Sequence, residues 1–389
     1  MLEELEQRWF TLTDDGWHDV IVGLIRDRQI EIAMDKLEHM QREGMRIRPW
    51  LYDLMVYTLC DAEEFEEVLR TMRYRFDQGE LHISGTLWSY ILDTASQSLH
   101  HEATLYAWRK RVDTDYLNPP SGVCINVLNT AARHGNFRLA TDVFRILSRR
   151  TNTLQLCNYE ALLEAYITAS DLRTALTILT IMASGGVQPE EATTRPLYLY
   201  LRDSTSRPPE ALSILRDLKD AQRAIPTVAI NCILEASIHQ DDLASAIEIY
   251  KVLHTLCPAG PTTATFNALF RGCSKASRKD LAMFLASEML ALKIPPDALT
   301  YDRLILVCID GKGKEDYADA FRYFEEMKGM GWWPRRGTLV AMAKRCCEDE
   351  DERVFGLLEE MEGRGMEVVG LQRWVGESWK GGEGARGVS

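Results

Sequence analysis

The chain has 389 residues, 46% of them apolar and 26% charged, a balance that excludes an intrinsically disordered polymer. No apolar run reaches the roughly 18 residues of a membrane span, so no membrane insertion is expected, and a net charge of −13 argues against indiscriminate attraction to nucleic acid. The nine cysteines (Cys60, Cys124, Cys157, Cys232, Cys257, Cys273, Cys308, Cys346 and Cys347) are odd in number and scattered, without the two-residue spacing of a zinc knuckle or a redox pair, which predicts reduced thiols on helix faces.

Residues 1–13 form a lead that carries Glu3, Glu4 and Glu6 and has neither an apolar signal core nor the Arg-rich character of a transit peptide. From Asp14 onward the apolar residues recur at three- and four-residue spacing in pairs of short segments, the mark of helical hairpins with one apolar face each. The first hairpin is expected over Asp14–Trp50, the second over Leu51–His82, and the third, the least regular, over Ser84–Pro120. Ser121–Thr153 supplies a fourth, turned at Gly135 and Asn136, and Leu156–Glu190 a fifth. The sixth, Glu191–Thr227, opens its second helix with Pro208 and Pro209, a favoured place for proline. Val228–Thr262 and Thr263–Asp297 follow. The ninth, Ala298–Arg335, carries an insertion of about three residues at Asp310–Lys314, read as a longer turn, since its step is lengthened. The tenth, Arg336 to about Glu367, has an acidic turn at Glu348–Glu352. A Gly-rich segment, 369–389, is expected to be a disordered tail.

One register joins the copies. Ala33, Val68, Ala103, Ala140, Ala175, Ala211, Ala246, Ala282, Ala320 and Val354 recur at steps of 34 to 38 residues, each a small or branched residue early in a second helix. Two helical turns further on lie Met40, Arg75, Lys110, Leu147, Met182, Leu218, Leu253, Met289, Met327 and Met361, eight of them apolar and therefore on the same buried face. Prolines such as Pro189, Pro261, Pro296 and Pro334 close many copies, where they stop one helix without breaking the next. Hairpins this short cannot bury their faces alone, so the period predicts an all-α stack with one continuous core, residues 14–368 forming the array.

The period, with features such as Tyr159 to Glu190 (Met182, Gly186, Pro189, Glu190) and Thr300 to Pro334, resembles the pentatricopeptide repeat family over about Asp14 to Met366, most clearly between Leu156 and Asp297. The runner-up, the tetratricopeptide repeat, has a period of 34 that most steps here exceed. The resemblance implies a right-handed superhelical solenoid of about ten two-helix repeats, without an appended catalytic domain. It further implies a groove of first helices that holds single-stranded RNA, one base per repeat, read by an early first-helix residue and the residue closing the repeat. Carried over residue by residue, the early positions are Asp53, Glu160, Asn231, Asn267 and Asp302, and the closing ones include Glu190, Thr262, Asp297 and Arg335. Asn231 with Thr262 and Asn267 with Asp297 fit the family's pairing best, the latter implying a preference for uracil; Glu160 with Glu190 and Arg195 with Thr227 do not fit it. The competing reading is that Asn and Asp at these places cap helices.

Phosphate neutralisation needs cations, and 106–150 holds eight (among them Arg109, Lys110, Arg111, Arg145, Arg149 and Arg150) against three acids. The alternative for these arginines is a convex face paired with neighbouring acids. Catalytic patterns are missing: the Gly311, Lys312, Gly313, Lys314 run lacks the glycine and hydroxyl residue of a phosphate loop, and His101-Glu102 lacks the second histidine of a zinc-protease helix. The sequence thus points to a non-enzymatic RNA-binding adaptor with no cofactor and no metal, expected as a monomer. By the resemblance it is mitochondrial, although the chain shows no transit peptide and would otherwise be cytoplasmic. The alternative is a protein-binding scaffold or assembly factor for a mitochondrial ribosome or respiratory complex, which the acidic balance favours.

Overall fold

The computed structural model of the protein describes residues 12–79, 83–114, 117–150, 154–310 and 314–379, without the side chains of 314–316. Among the described residues there are twenty-one α-helices and no strand. In chain order they are α1 (Asp14–Arg26), α2 (Ile30–Arg42), α3 (Pro49–Asp61), α4 (Phe65–Asp77), α5 (Gly85–Gln97), α6 (His101–Ala107), α7 (Ser121–Arg133), α8 (Phe137–Arg150), α9 (Leu156–Thr168), α10 (Leu172–Ser184), α11 (Arg195–Arg202), α12 (Arg207–Asp220), α13 (Thr227–His239), α14 (Leu243–Leu256), α15 (Thr263–Lys275), α16 (Lys279–Ala291), α17 (Ala298–Ile309), α18 (Lys314–Gly329), α19 (Arg336–Glu348), α20 (Arg353–Gly363) and α21 (Val369–Ser378). Odd-numbered helices up to α19 are the first of a hairpin and even-numbered ones the second.

The chain divides into two compact units, residues 1–171 and 172–389. In the first, α1, α3, α5, α7 and α9 pack on one another in succession, and α4 packs on α6. In the second, α11, α13, α15, α17, α19 and α21 form the corresponding run, while α10, α12 and α14 form the other layer. Each unit is therefore two-layered, with first helices against first helices and second against second.

The small-residue register is where these layers meet. All ten positions from Ala33 to Val354 have no exposed surface, because a methyl or isopropyl group there lets two helices approach closely. Of the positions two turns on, nine are buried, and they include Arg75, whose guanidinium donates to Asp53 at 2.7 Å and lies 5.5 Å from the Tyr52 ring centre. Lys110 is the exposed one. Its departure has a local cause: α6 stops after seven residues and continues as a π-helical turn, Trp108–Val112, which adds residues per turn and rotates Lys110 off the buried face.

The turns repeat as faithfully. Within hairpins a residue in the left-handed region recurs at Arg28, Glu63, Leu99, Gly135, Ser170, Asp241, Ser277 and Glu350. Seven of these are not glycine, and Gly135 differs from them in the space around it, since a Cβ there would stand 3.0 Å from Thr168 Cγ2.

Two expectations are corrected. The sixth hairpin's first helix is only eight residues long: residues 191–194 form a turn, with the Glu190 N–H donating to Thr193 Oγ1, and Pro196 sits at the start of α11, where its missing N–H does no harm. The segment from 369, expected as disordered, begins instead with α21, whose Val375 is buried and whose Leu371 and Trp374, with the following Trp379, pack on the core of α17–α20. The residues 1–11, 311–313 (with most of the Gly-Lys run and of the lengthened turn) and 380–389 lie outside the described residues.

Candidate nucleic-acid interface

Counting from the first helical residue places Asn231, Asn267 and Asp302 at the fifth position of α13, α15 and α17, and Asp53 and Glu160 at the fifth position of α3 and α9. These residues are one turn inside their helices, so none of them is an N-cap. The caps are the closing residues themselves: Thr262 precedes α15, Asp297 precedes α17 and Arg335 precedes α19.

Consecutive hairpins are joined here by one recurring hydrogen-bond unit. Asn267 Nδ2 donates to the Asp297 carboxylate at 3.1 and 3.3 Å, and Asn267 Oδ1 accepts from Thr300 Oγ1 at 2.8 Å. Asp297 in turn accepts from the Thr300 N–H at 2.7 Å, while its own N–H donates to Thr300 Oγ1 at 3.1 Å, a reciprocal capping box. One repeat earlier, Asn231 Nδ2 donates to Thr262 Oγ1 at 3.2 Å, Thr265 Oγ1 donates to Asn231 Oδ1 at 2.7 Å, and the Thr262 N–H donates to Thr265 Oγ1 at 2.9 Å. In the ninth hairpin the Arg335 N–H donates to Asp302 Oδ1 at 2.9 Å.

The first hairpin does the same with an imidazole. The Arg48 N–H donates to His18 Nε2 at 3.0 Å, while His18 Nδ1 faces the Asp14 carbonyl oxygen, which fixes the proton on Nδ1. Asp53 departs from the scheme, since it is held by the buried Arg75. The sixth hairpin also departs: the shortened α11 makes Arg195 its first residue and leaves the apolar Leu199 at the fifth position.

The unit has a consistent polarity. Asn231 and Asn267 are 7% exposed and Asp302 is 2% exposed, whereas Thr262, Asp297 and Arg335 are exposed. Burial pushes the Asp297 carboxyl pKa up, but the Thr300 N–H, the Asn267 amide and the Thr300 hydroxyl outweigh it and hold the group below the usual carboxylate range. Thr265 (0% exposed) and Thr300 (1% exposed) were not singled out in the sequence. Their signal was the Thr262-x-x-Thr265 and Asp297-x-x-Thr300 spacing of a capping box.

The six cations 109–111, 145, 149 and 150 lie elsewhere: all are on second helices, α8 or the π turn after α6, in the layer opposite the fifth positions. Lys110 Nζ stands 5.1 Å from the Phe76 ring centre and Arg111 lies 5.0 Å from that of Trp88. Arg145 faces Asp142 at 3.4 Å, Arg150 is tied to the Pro119 carbonyl oxygen and to Asn118, and Arg109 and Arg149 are exposed. The first-helix layer has its own cations, which the sequence reading missed: Arg271 on α15 and Arg303 on α17, beside Arg335.

Comparison with known proteins fits this architecture. A family model described as pentatricopeptide repeat-containing protein matches residues 121–253, and a model of the PPR repeat matches residues 264–294. A mitochondrial pentatricopeptide repeat-containing protein of Arabidopsis thaliana is 23% identical over 372 residues, covering 88% of this chain and 58% of its own length. A second pentatricopeptide repeat-containing protein of that plant is 27% identical over 186 residues, covering 46% of this chain and 31% of its own length. The chain thus spans less than two thirds of the length of these relatives. Among solved structures, the maize pentatricopeptide repeat protein PPR10 is similar with a TM-score of 0.38 at 14% identity, over 97% of this chain and 61% of that one. PPR10 in complex with an 18-nt psaJ RNA element gives 0.43 at 17% identity, over 99% and 56%. The matched models run from the fourth hairpin through the eighth, the stretch in which the register is most regular, and over that stretch the chain is similar to the pentatricopeptide repeat family.

Proposed function

We propose that the chain is a sequence-selective single-stranded RNA-binding protein that reads consecutive bases with Asn231 and Thr262, Asn267 and Asp297, and Asp302 and Arg335. Similarity to the pentatricopeptide repeat family supports this, and so does the name of the Arabidopsis relative for a mitochondrial setting. By covering a short segment of a transcript, it would change RNA processing, stability or translation through binding rather than catalysis.

The observation that carries the reading is the repetition of one polar unit in two successive hairpins, with a buried fifth-position carboxylate, Asp302, accepting the cap N–H in the third. An asparagine amide has two N–H donors and two acceptor lone pairs. In Asn267 one N–H facing both Asp297 oxygens and one lone pair facing Thr300 leave a donor and an acceptor, the complement of a pyrimidine's Watson–Crick edge. Asp297 fixes the amide's orientation and is itself exposed, so it is placed to reach the base directly or through water. Uracil is the base expected opposite this hairpin and a pyrimidine opposite Asn231.

Selection from a randomised single-stranded RNA pool tests the reading. The wild-type chain should enrich a pyrimidine pair, and Asn267→Thr should move one position toward a purine, with a change in discrimination of about 1 kcal/mol. A wild-type chain that enriches nothing, or an Asn267→Thr chain that selects the wild-type sequence, sinks the proposal. The excess of 58 acidic over 45 basic residues favours a second reading, a scaffold for a protein partner in ribosome or respiratory-complex assembly. Crosslinking in the native cell separates the two.

A further inference from the structure

Three arginines share one face of the first-helix layer in the second unit. Arg271 is at the ninth position of α15, Arg303 at the sixth of α17 and Arg335 caps α19, and these three helices are packed in succession. The acids on this face are already engaged: Glu235 on α13 pairs with Arg271 at 3.5 Å, and Asp302 accepts the Arg335 N–H. Arg303 is different. It is half-buried, its Nε has no exposed surface and no hydrogen-bond partner, and among the described residues it makes no ion pair. Burial lowers its pKa, and the Arg271 and Arg335 cations add to the effect, while Asp302 and Glu235 oppose it.

A half-buried guanidinium whose buried Nε–H has no acceptor, beside two further cations, is a cost to the free protein, because that desolvated donor goes unmet and like charges repel. Folded proteins keep such a group where something else satisfies it. Arg303 presents planar donors of the geometry that suits a phosphate. The cluster adjoins Asp302, the fifth-position residue next to Arg303 in sequence, so an anion held here would belong to the strand whose bases face α15 and α17.

We infer that Arg271 and Arg303 form a clamp for a backbone phosphate of that strand, with Arg303 as its centre and the neighbouring base-facing Arg335 adding its field; the inference rests on the RNA reading above. It accounts for how a chain of net charge −13 grips a polyanion: the field needed is local and on the base-facing layer, not in the cations of α8. A phosphate seated here supplies affinity without base preference and sets the register in which Asn267 meets its base.

The test is the salt dependence of binding of a uridine-rich single-stranded oligoribonucleotide to the wild-type chain, to Arg303→Gln and to Asn267→Thr, together with the melting temperature of each free protein. Arg303→Gln should weaken binding about tenfold on every sequence, the size of one charged hydrogen-bonded contact. It should also reduce the slope of log K against log salt by about 0.7. Its melting temperature should equal or exceed that of the wild type, which a structural arginine would not do. Asn267→Thr should change base preference and leave the slope alone. Wild-type binding with an unchanged slope and affinity in Arg303→Gln overturns the clamp and leaves the RNA reading standing. No binding by the wild-type chain overturns both.

Discussion

Thr300→Val isolates the unit that joins the eighth hairpin to the ninth. Thr300 is 1% exposed, and its hydroxyl accepts from the Asp297 N–H at 3.1 Å and lies 2.8 Å from both Asn267 Oδ1 and Asp297 Oδ1. A hydroxyl has one proton to give, so one of those oxygens receives it while the other leans on the remaining donors. Valine keeps the shape and removes the proton. Asp297 is exposed and regains water, but Asn267 is 7% exposed and its Oδ1 is left without a donor, a loss of about 1–3 kcal/mol. The added methyl returns about 0.8 kcal/mol, so a net loss of up to about 2 kcal/mol, centred near 1 kcal/mol, is expected in urea denaturation. Thr300→Ser keeps the proton and should lose only about 0.8 kcal/mol. The amide, freed from one of its two holds, should also discriminate less at the base opposite α15 while total RNA affinity changes little. A Thr300→Val protein as stable as the wild type would refute the claim that this hydroxyl holds the amide.

Other expectations follow from the packing. Ala246 has no exposed surface, so Ala246→Leu should overpack the contact between layers and cost about 1–3 kcal/mol; an unchanged urea midpoint would remove the register from the core. Asp53→Ala removes the carboxylate that accepts from the Arg75 guanidinium, whose side chain is 1% exposed, and should cost about 1–3 kcal/mol, most of it recovered in Asp53→Leu combined with Arg75→Met; a neutral single mutant would contradict the pairing. Burial raises the thiols of Cys60 and Cys257 to about 11 and those of Cys273 and Cys346 to about 12. Because these folded pKa values lie above the ordinary 9.0, the stability they carry is present below pH 9 and lost as pH rises through the folded values, so the urea midpoint should hold to pH 9 and then fall. In the native protein a thiol reagent at neutral pH should label the exposed Cys157 ahead of the eight buried cysteines, and equal labelling of all nine would contradict the burial.

The array was legible in the sequence wherever a position is forced by contact between helices. Alanine at the approach of two layers admits little else, and so the residues from Ala33 to Val354 could be lined up with a ruler and all are buried. Exceptions came where backbone geometry intervened. Lys110 follows the ruler and misses the core because it lies in the π turn, and Arg195 follows the expected repeat but starts a helix that Pro196 delays. The helix α21 was hidden by Gly370 and Gly376, which lower helix propensity; burial of Val375 and packing of Trp374 and Trp379 override that preference.

The candidate site was half legible for a related reason. Asn231, Asn267, Thr262 and Asp297 are fixed by spacing along the chain, and the structure brings each pair within hydrogen-bond distance. What spacing conceals is which face a charge occupies: the arginines that stand close in sequence, Arg145, Arg149 and Arg150, sit on one second helix, whereas Arg271, Arg303 and Arg335 are about a repeat apart and converge across three helices. In a stack of hairpins, neighbours in space are separated by one period in sequence, so a cluster of charges on the first-helix face looks in the sequence like isolated residues. Cations that meet in such a chain therefore stand, as Arg303 does beside the buried Asp302, about one period apart on successive first helices, not within one window of sequence.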